Sequence, residues 1–439
     1  MNLLLIHVWN ENEIAYRGKF SSFFSYPSIT LATVYALIPQ GVFDEIDVLD
    51  EHSQRVNYDK KHYDLVMLSS ETSSSGSAYK HADAFRARGS YVVCGGYHAT
   101  ALPEEALEHC DTVIKGPGEL SIPEFIRDFA AGKPQRIYSN YNVKPTDFVT
   151  PAREKVTLHG KLKISTMIAN PGCNNACKYC SMRTMWKSVC RPIEDVIKEI
   201  KHLKSKLVIF YDPNFFANRE YAIELMKAMT PLKILWASNA TADFGYDEEL
   251  MDIAYKSGCR GVLLGLESLN EQSLYGAAKR FRNVDKYKEI IANIHKHNIA
   301  INGCFVLGFD NDTEEELLRL PAQIDDLGLD LCRFAILTPY PGTMQFKEYD
   351  DAGRLLTKDW SKYTQHVTVF NPKNFTPDRL NEIYRIVWRE AYSWKRVFHR
   401  LHISPWRKHW YGIILLGANI GFKYLGIDEG RKNKSQMVK

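Results

Sequence analysis

The chain has 439 residues, 45% of them hydrophobic, with a net charge of +4. That length and apolar content exclude a disordered or disulfide-built miniprotein, and nine cysteines in such a chain read as reduced thiols of a cytoplasmic protein. No basic leader with a cleavage site opens the sequence, and no run reaches the ~18 apolar residues of a spanning helix.

Residues 1–132 alternate short apolar runs with helical stretches. Strands are predicted at 3–8, 45–49, 64–69, 91–94 and 112–114, and helices near 29–38, 78–88, 103–109 and 122–131. Near-continuous apolar strands separated by helices imply a parallel sheet covered on both faces, here a doubly wound, flavodoxin-like α/β domain. Its ligand belongs outside the carboxyl ends of the strands. Those ends run into Ser69–Gly76, with Ser70 and Thr72; into Gly95-Gly-Tyr-His98; and into Lys115-Gly-Pro-Gly-Glu119. Glycines let a backbone approach a ligand closely, and small hydroxyls hydrogen-bond without bulk. Glycines also make tight turns, so each loop alone says little.

Residues 133–162, punctuated by Pro134, Pro145 and Pro151, read as a linker. The alternation restarts over 163–345. Strands are predicted at 164–169, 207–211, 234–238, 261–266, 300–307 and 331–337, with helices such as 193–204 and 221–229 between them. Six such units make a partial (β/α)6 TIM barrel, whose chemistry gathers at the strand carboxyl ends. Residues 346–439 form a helical extension, with helices expected at 377–401 and 406–425.

The loop after the first barrel strand carries Cys173, Cys177 and Cys180, spaced C-x3-C-x2-C. Three thiolates on one short loop can hold three irons of a [4Fe–4S] cluster and leave the fourth open. A structural zinc site wants four ligands, with a second pair further along. Cys190 stands alone, so zinc is the poorer reading.

This spacing resembles the signature of the radical S-adenosylmethionine (SAM) superfamily. Gly265-Leu-Glu267-Ser268, Phe305–Glu315 and Thr338-Pro-Tyr-Pro-Gly-Thr343 resemble its later strand ends in the same order. The resemblance implies SAM on the open iron, reductively cleaved to a 5′-deoxyadenosyl radical. It implies SAM contacts from Gly265, Glu267 and Ser268, and from Asp212, Asn214, Ser238 and Asn239 at the second and third strand ends. Many members carry Gly-Gly-Glu where this chain has Tyr211-Asp-Pro-Asn214, which weakens the carry-over there.

Residues 1–130 resemble the cobalamin-binding domain that precedes the radical core in one class of the superfamily. Ser70, Thr72, Gly95, Gly96, His98, Gly116 and Glu119 are then the expected cobalamin contacts. Histidine-ligating cobalamin domains carry Asp-x-His-x-x-Gly after the first strand, and this chain has His7-Val-Trp-Asn-Glu-Asn. Asp50-Glu-His52 mimics the motif after the wrong strand and reads as chance. The expectation is cobalamin with no histidine on cobalt.

The resemblance implies a cobalamin-dependent radical SAM enzyme that methylates an unactivated carbon. Alternatives are cyclisation, oxidation or carbon–carbon coupling without methyl transfer, or a non-enzymatic iron–sulfur or cobalamin sensor. Expected partners are a small-molecule, lipid-like or peptide substrate and an electron donor such as flavodoxin or ferredoxin. No nucleic-acid module appears. Residues 379–439 hold 13 Lys and Arg against 4 Asp and Glu, together with Trp388, Trp394, Trp406 and Trp410. That composition suits peripheral membrane contact, a helical cap on the barrel, or recognition of an acidic substrate.

Overall fold

The computed structural model describes residues 1–11, 28–156, 164–409 and 411–437, with side chains up to Tyr424. Residues 12–27, 157–163, 410 and 438–439 lie outside it, as do the side chains of Lys408 and of residues 425–437, so the end of the expected linker and Trp410 are not described.

Six parallel strands form the first sheet: β1 (Asn2–His7), β2 (Glu45–Asp50), β3 (Leu65–Ser69), β4 (Tyr91–Gly95), β5 (Thr112–Lys115) and β6 (Ile137–Ser139), in the order 2-1-3-4-5-6. Helices α1 (Ile29–Leu37), α2 (Ser75–Arg86), α3 (Tyr97–Ala101), α4 (Pro103–His109) and α5 (Gly118–Ala130) run between the strands. In β1, Leu4 and Ile6 enter the core on one face while Leu3 and Leu5 enter the core on the other. Each such side chain contributes roughly 1.5–3 kcal/mol, which is why this strand reads as uninterrupted apolar sequence. Ser28 caps α1 by accepting from the Leu31 N–H.

The sixth strand falls inside the segment expected to be a linker. It is only three residues long and shows no alternation. Val113 donates its N–H to Arg136 O, and Tyr138 is buried against the α5 side of the sheet. Pairing and one aromatic hold it, and neither is a local sequence signal.

The second sheet is also all parallel, in the order 12-11-10-9-8-7: β7 (Ser165–Met167), β8 (Leu207–Phe210), β9 (Leu235–Ala240), β10 (Cys259–Glu267), β11 (Ala300–Leu307) and β12 (Leu331–Ile336). Its helices are α6 (Met182–Met185), α7 (Ile193–His202), α8 (Arg219–Met229), α9 (Glu248–Lys256), α10 (Glu271–Gly276), α11 (Tyr287–Lys296), α12 (Glu314–Leu327) and α13 (Met344–Asp351). From Val262 onward the residues of β10 alternate. Val262, Leu264 and Leu266 of β10 pack outward into the helix-side core, and Leu263, Gly265 and Glu267 take the other face. Six strands in sequential order give the expected open barrel.

The helix expected at 377–401 is two helices, α14 (Pro377–Ala391) and α15 (Trp394–Ile403). α14 packs on β12, α12 and the last helix, α16 (Tyr411–Met437). The Trp388 indole N–H donates to Phe422 O at 2.9 Å, and the Tyr392 hydroxyl donates to Cys332 O at 2.5 Å. Tyr392 and Trp388 are buried, so the chain breaks where packing against β12 turns it. The extension covers the outer face of the barrel's edge strand. Among the described residues no helix is long and apolar enough to cross a membrane.

The two sheets meet through side chains. Trp360 donates its indole N–H to Glu105 (2.9 Å), Asn10 donates to Ser361 O (3.1 Å) and Tyr141 donates to Thr184 O (2.9 Å).

Candidate active site and cofactor cavity

The cysteine loop joins β7 to α6 at the carboxyl edge of the barrel, and its backbone is held from several sides. Buried Asp212 accepts the N–H groups of Ala169 and Asn170 at its entry. Arg191 donates to Ile168 O (2.8 Å) and pairs with buried Glu199, which also takes Arg153. Lys178 N–H donates to Ala277 O, and Gln345 N–H to Lys178 O, both at 3.0 Å. Gly172 is required because a Cβ there would stand 2.2 Å from Lys187 O.

The three thiols are half-buried. Burial pushes the Cys180 thiol up to about 11, with Cys177 and Cys173 adding to the rise, and burial also raises that of Cys177, with Glu267 and Cys173 adding and Lys279 opposing. Partly dry thiols ionise readily only when a cation compensates them, which fits a cluster. Among the described residues no three His, Cys, Asp or Glu side chains close on a single ion. Burial pushes the Cys190 thiol to about 11 as well, with Asp212 adding to the rise.

Glu267 and Lys279 form the charged wall beside the loop. Lys279 Nζ lies 2.9 Å from Glu267 Oε1, and the lysine side chain is only 6% exposed. Burial opposes the Lys279 charge, but Glu267 and the cluster cysteines outweigh it and its pKa is raised. Glu267 ends β10 at φ 68°, where the register with β11 shifts. A Cβ on Gly265 would stand 2.6 Å from Glu267 Oε1, so this glycine leaves room for the pair. Lys279 was missed by sequence reasoning. It lies twelve residues after Glu267, across α10, with no motif around it.

The other expected SAM residues separate. Asn239 takes the half-open face of β9 and donates to Asp212 O at 2.8 Å. Ser238 lies on the buried, helix-side face, with Trp236 and Ala240. Asn214 accepts from Phe216 N–H and donates to Thr241, and Ser268 accepts from Asn270 N–H. Asp212 spends both oxygens on the cysteine loop, and its burial pushes it to about 7. These residues shape the loops, while Glu267 and Lys279 present charge.

A cavity of about 680 Å³ opens at the carboxyl edge of the first sheet. Ser70, Gly95, Gly96, Gly116 and Glu119 line it on one side, and Met182, Met185, Trp186, Arg191 and Tyr211 on the other. Gly96 has φ +103°, and a Cβ there would lie 2.3 Å from Ser70 O; a Cβ on Gly116 would strike Tyr141 at 2.5 Å. Thr100 Oγ1 accepts the Gly116 N–H at 3.0 Å, so the two glycine turns brace each other. Thr72 and His98 do not line the cavity. The His98 ring lies against Trp360 with Nε2 3.0 Å from Glu105, in the seam between the sheets. His7, Trp9 and His52 line the cavity instead, although Asp50-Glu-His52 reads in the sequence as a chance match.

Glu119 carries the clearest sign that the cavity takes a polar ligand. Burial pushes it up to about 7 against the pull of its own helix-end N–H groups and Arg191, and its Oε2 has no hydrogen-bond partner. A carboxyl raised above its unfolded range takes up its proton more readily when folded, so it costs stability as pH rises from about 4.5 to about 7. Glu119→Gln will gain on wild type across that window, at up to about 1.4 kcal/mol per pH unit. Urea midpoints at about pH 5 and about pH 7.5 check this; an unchanged difference would place Glu119 in water.

The chain is similar to known proteins over most of its length. Residues 167–320 match the radical SAM superfamily model. A bacteriochlorophyllide d C-12(1)-methyltransferase of Chlorobaculum tepidum is 31% identical over 390 residues, covering 86% of this chain and 85% of that protein. An anaerobic magnesium-protoporphyrin IX monomethyl ester cyclase of Cereibacter sphaeroides is 26% identical, covering 72% of this chain and 56% of that protein. The fold is that of the radical SAM methyltransferase TsrM from Kitasatospora setae (TM-score 0.65, 14% identity, 88% of this chain and 82% of that one). It is also that of the cobalamin-dependent radical SAM enzyme OxsB (TM-score 0.67, 12% identity, 100% and 79%). With the family match over its barrel and a relative 31% identical over 85% of that protein's length, the chain belongs to the radical SAM superfamily of enzymes.

Proposed function

We propose that the chain is a cobalamin-dependent radical SAM methyltransferase that methylates an unactivated carbon of a small molecule. The observation that carries this reading is the shared wall. Met182 and Met185 of the cavity lie two and five residues after Cys180, so a ligand on the first sheet's edge would face the end of the cluster loop. Bound there, the cluster would supply the electron that cleaves SAM, and cobalamin the methyl group.

The chain's own residues position and exclude. Cys173, Cys177 and Cys180 would hold three irons of the cluster. Glu267 offers an acceptor for the SAM ammonium, and Lys279 a cation for its carboxylate. The glycine turns would let the backbone approach a corrin, and the unpartnered Glu119 carboxyl would be free to hydrogen-bond its polar substituents. Apolar Met182, Met185 and Trp186 keep water from a radical intermediate. The electron comes from a reduced carrier such as flavodoxin or ferredoxin.

The names of the Chlorobaculum relative and of TsrM record methyl transfer, and that of the Cereibacter relative ring closure, which keeps cyclisation as a second reading. Anaerobic turnover with both cofactors and candidate substrates separates the two. Methylation yields 5′-deoxyadenosine, S-adenosylhomocysteine and a product one methylene heavier. A product with an unchanged carbon count would favour cyclisation.

The extension gives a finer reading, peripheral membrane contact. Trp394 (46% exposed), Phe398 (61%) and Ile413 (75%) stand in solvent among basic residues, whereas Trp388 is buried. Each basic side chain near an anionic surface contributes about 1 kcal/mol and is screened by salt. Co-sedimentation with anionic liposomes is therefore expected at low salt and weaker at high salt. A protein left in the supernatant at low salt makes the extension a cap alone.

A further inference from the structure

One turn holds the cysteine loop on its inner side and faces solvent on its outer side. Ala277 O accepts the Lys178 N–H at 3.0 Å, between Cys177 and Cys180. Ala278 follows at φ 53°, and Lys279 then points inward to Glu267. The Ala278 N–H donates to Tyr275 O and the Lys279 N–H to Leu274 O, both at 3.0 Å, which fixes this left-handed turn. Its outward residues are Tyr275, Arg280 and Arg282. Tyr275 is 69% exposed, and both arginines are exposed. The Arg282 guanidinium lies 5.0 Å from the centre of the Tyr275 ring, and neither arginine has an ion-pair partner among the described residues.

The other flank of the loop is built alike. The Gln345 N–H donates to Lys178 O at 3.0 Å, and Met344 beside it is 55% exposed. Asn174 and Ala176 stand exposed between Cys173 and Cys177. Glu348 neutralises Lys178 at 2.7 Å, so the uncompensated charge on this face is that of the two arginines. Tyr, Met and Arg are the side chains enriched at protein interfaces, and charges at a contact steer a partner of opposite sign. Electron transfer weakens steeply with distance, so a carrier has to meet the protein where the cysteine loop reaches the surface.

We infer that Tyr275, Arg280, Arg282, Met344 and the tip of the cysteine loop form the docking face for an acidic one-electron carrier protein. The inference rests on the cluster ligands and the radical reading above, and not on methyl transfer. One electron leaves the carrier's redox group and reduces the cluster, with no bond made or broken. The contact is expected to be small and short-lived, since redox encounters bury less than about 1,200 Å².

The test immobilises full-length reconstituted protein and titrates it by surface plasmon resonance with oxidised flavodoxin and oxidised ferredoxin, both acidic, at low and high salt. At least one carrier is expected to bind, more weakly at high salt and at least about tenfold more weakly to Arg282→Glu. Tyr275→Ala is expected to weaken binding while keeping its salt dependence. In Arg282→Glu the iron content and the 5′-deoxyadenosine formed with titanium(III) citrate stay at the wild-type level, while 5′-deoxyadenosine formed with the reduced carrier falls with binding. Binding of neither carrier by wild type, or undiminished binding by Arg282→Glu, overturns the inference. An equal loss of 5′-deoxyadenosine with carrier and with titanium(III) also overturns it, because the turn then serves SAM and not a partner. Wild type that binds a carrier but forms no 5′-deoxyadenosine with titanium(III) overturns the radical reading and not the docking face.

Discussion

Changing Cys173, Cys177 and Cys180 together to alanine will leave the anaerobically reconstituted protein without iron, without its charge-transfer absorption and without 5′-deoxyadenosine from SAM and a reductant. The loss is total rather than graded because no other described cysteine lies on that loop. Cys94, Cys110, Cys259 and Cys332 are buried among apolar side chains, and Cys304 lies on β11. Cys190 is the necessary control, being half-buried and within the electrostatic reach of Asp212. Cys190→Ala should keep its iron. Iron persisting in the triple variant, or lost in the Cys190 variant, would show that the ligand set is wrong. Normal cluster content with no 5′-deoxyadenosine in the wild type would favour a sensor.

Lys279→Met will retain the cluster and lose SAM. The substitution keeps the length of the buried stem and removes the charge that faces Glu267. Breaking a buried pair costs about 3–5 kcal/mol, and less here because Glu267 keeps 15% of its side-chain surface. The functional effect is larger, because the barrel wall then offers a SAM carboxylate no cation and holds an uncompensated acceptor beside the thiolates. At least about a tenfold weaker SAM affinity is expected, worth about 1.4 kcal/mol. Lys279→Arg should recover part of it. Isothermal titration with SAM on the reconstituted protein reads this without turnover; unchanged affinity in Lys279→Met would make the pair purely structural.

The glycine-rich turns of the first domain were legible, but their partners were not. Gly95, Gly96 and Gly116 lie where the ends of β4 and β5 were expected to meet a ligand. His98, in the same motif, instead closes the seam through Glu105 and Trp360, a residue 255 positions from that carboxylate. No local pattern announces a contact at that separation. Thr100, unassigned by sequence, turned out to pin Gly116. Asp212 shows the reverse case. A polar residue at a strand end suggested a SAM contact, and the structure turns it inward to hold the cysteine loop.

By itself the sequence determined the alternation of strand and helix, the two parallel sheets, the open barrel and the cysteine triad. These follow from apolar runs, turn residues and one short spacing, all readable within a few residues of chain. Only the tertiary structure decided which polar side chains face a cavity. A strand residue's face depends on register, as Ser238 and Asn239 show on adjacent positions of β9. The pair Glu267–Lys279 exists because a strand and a later turn end at the same edge. The cavity itself belongs to neither half alone, because its two walls come from the first sheet and from the loop that follows the cysteines.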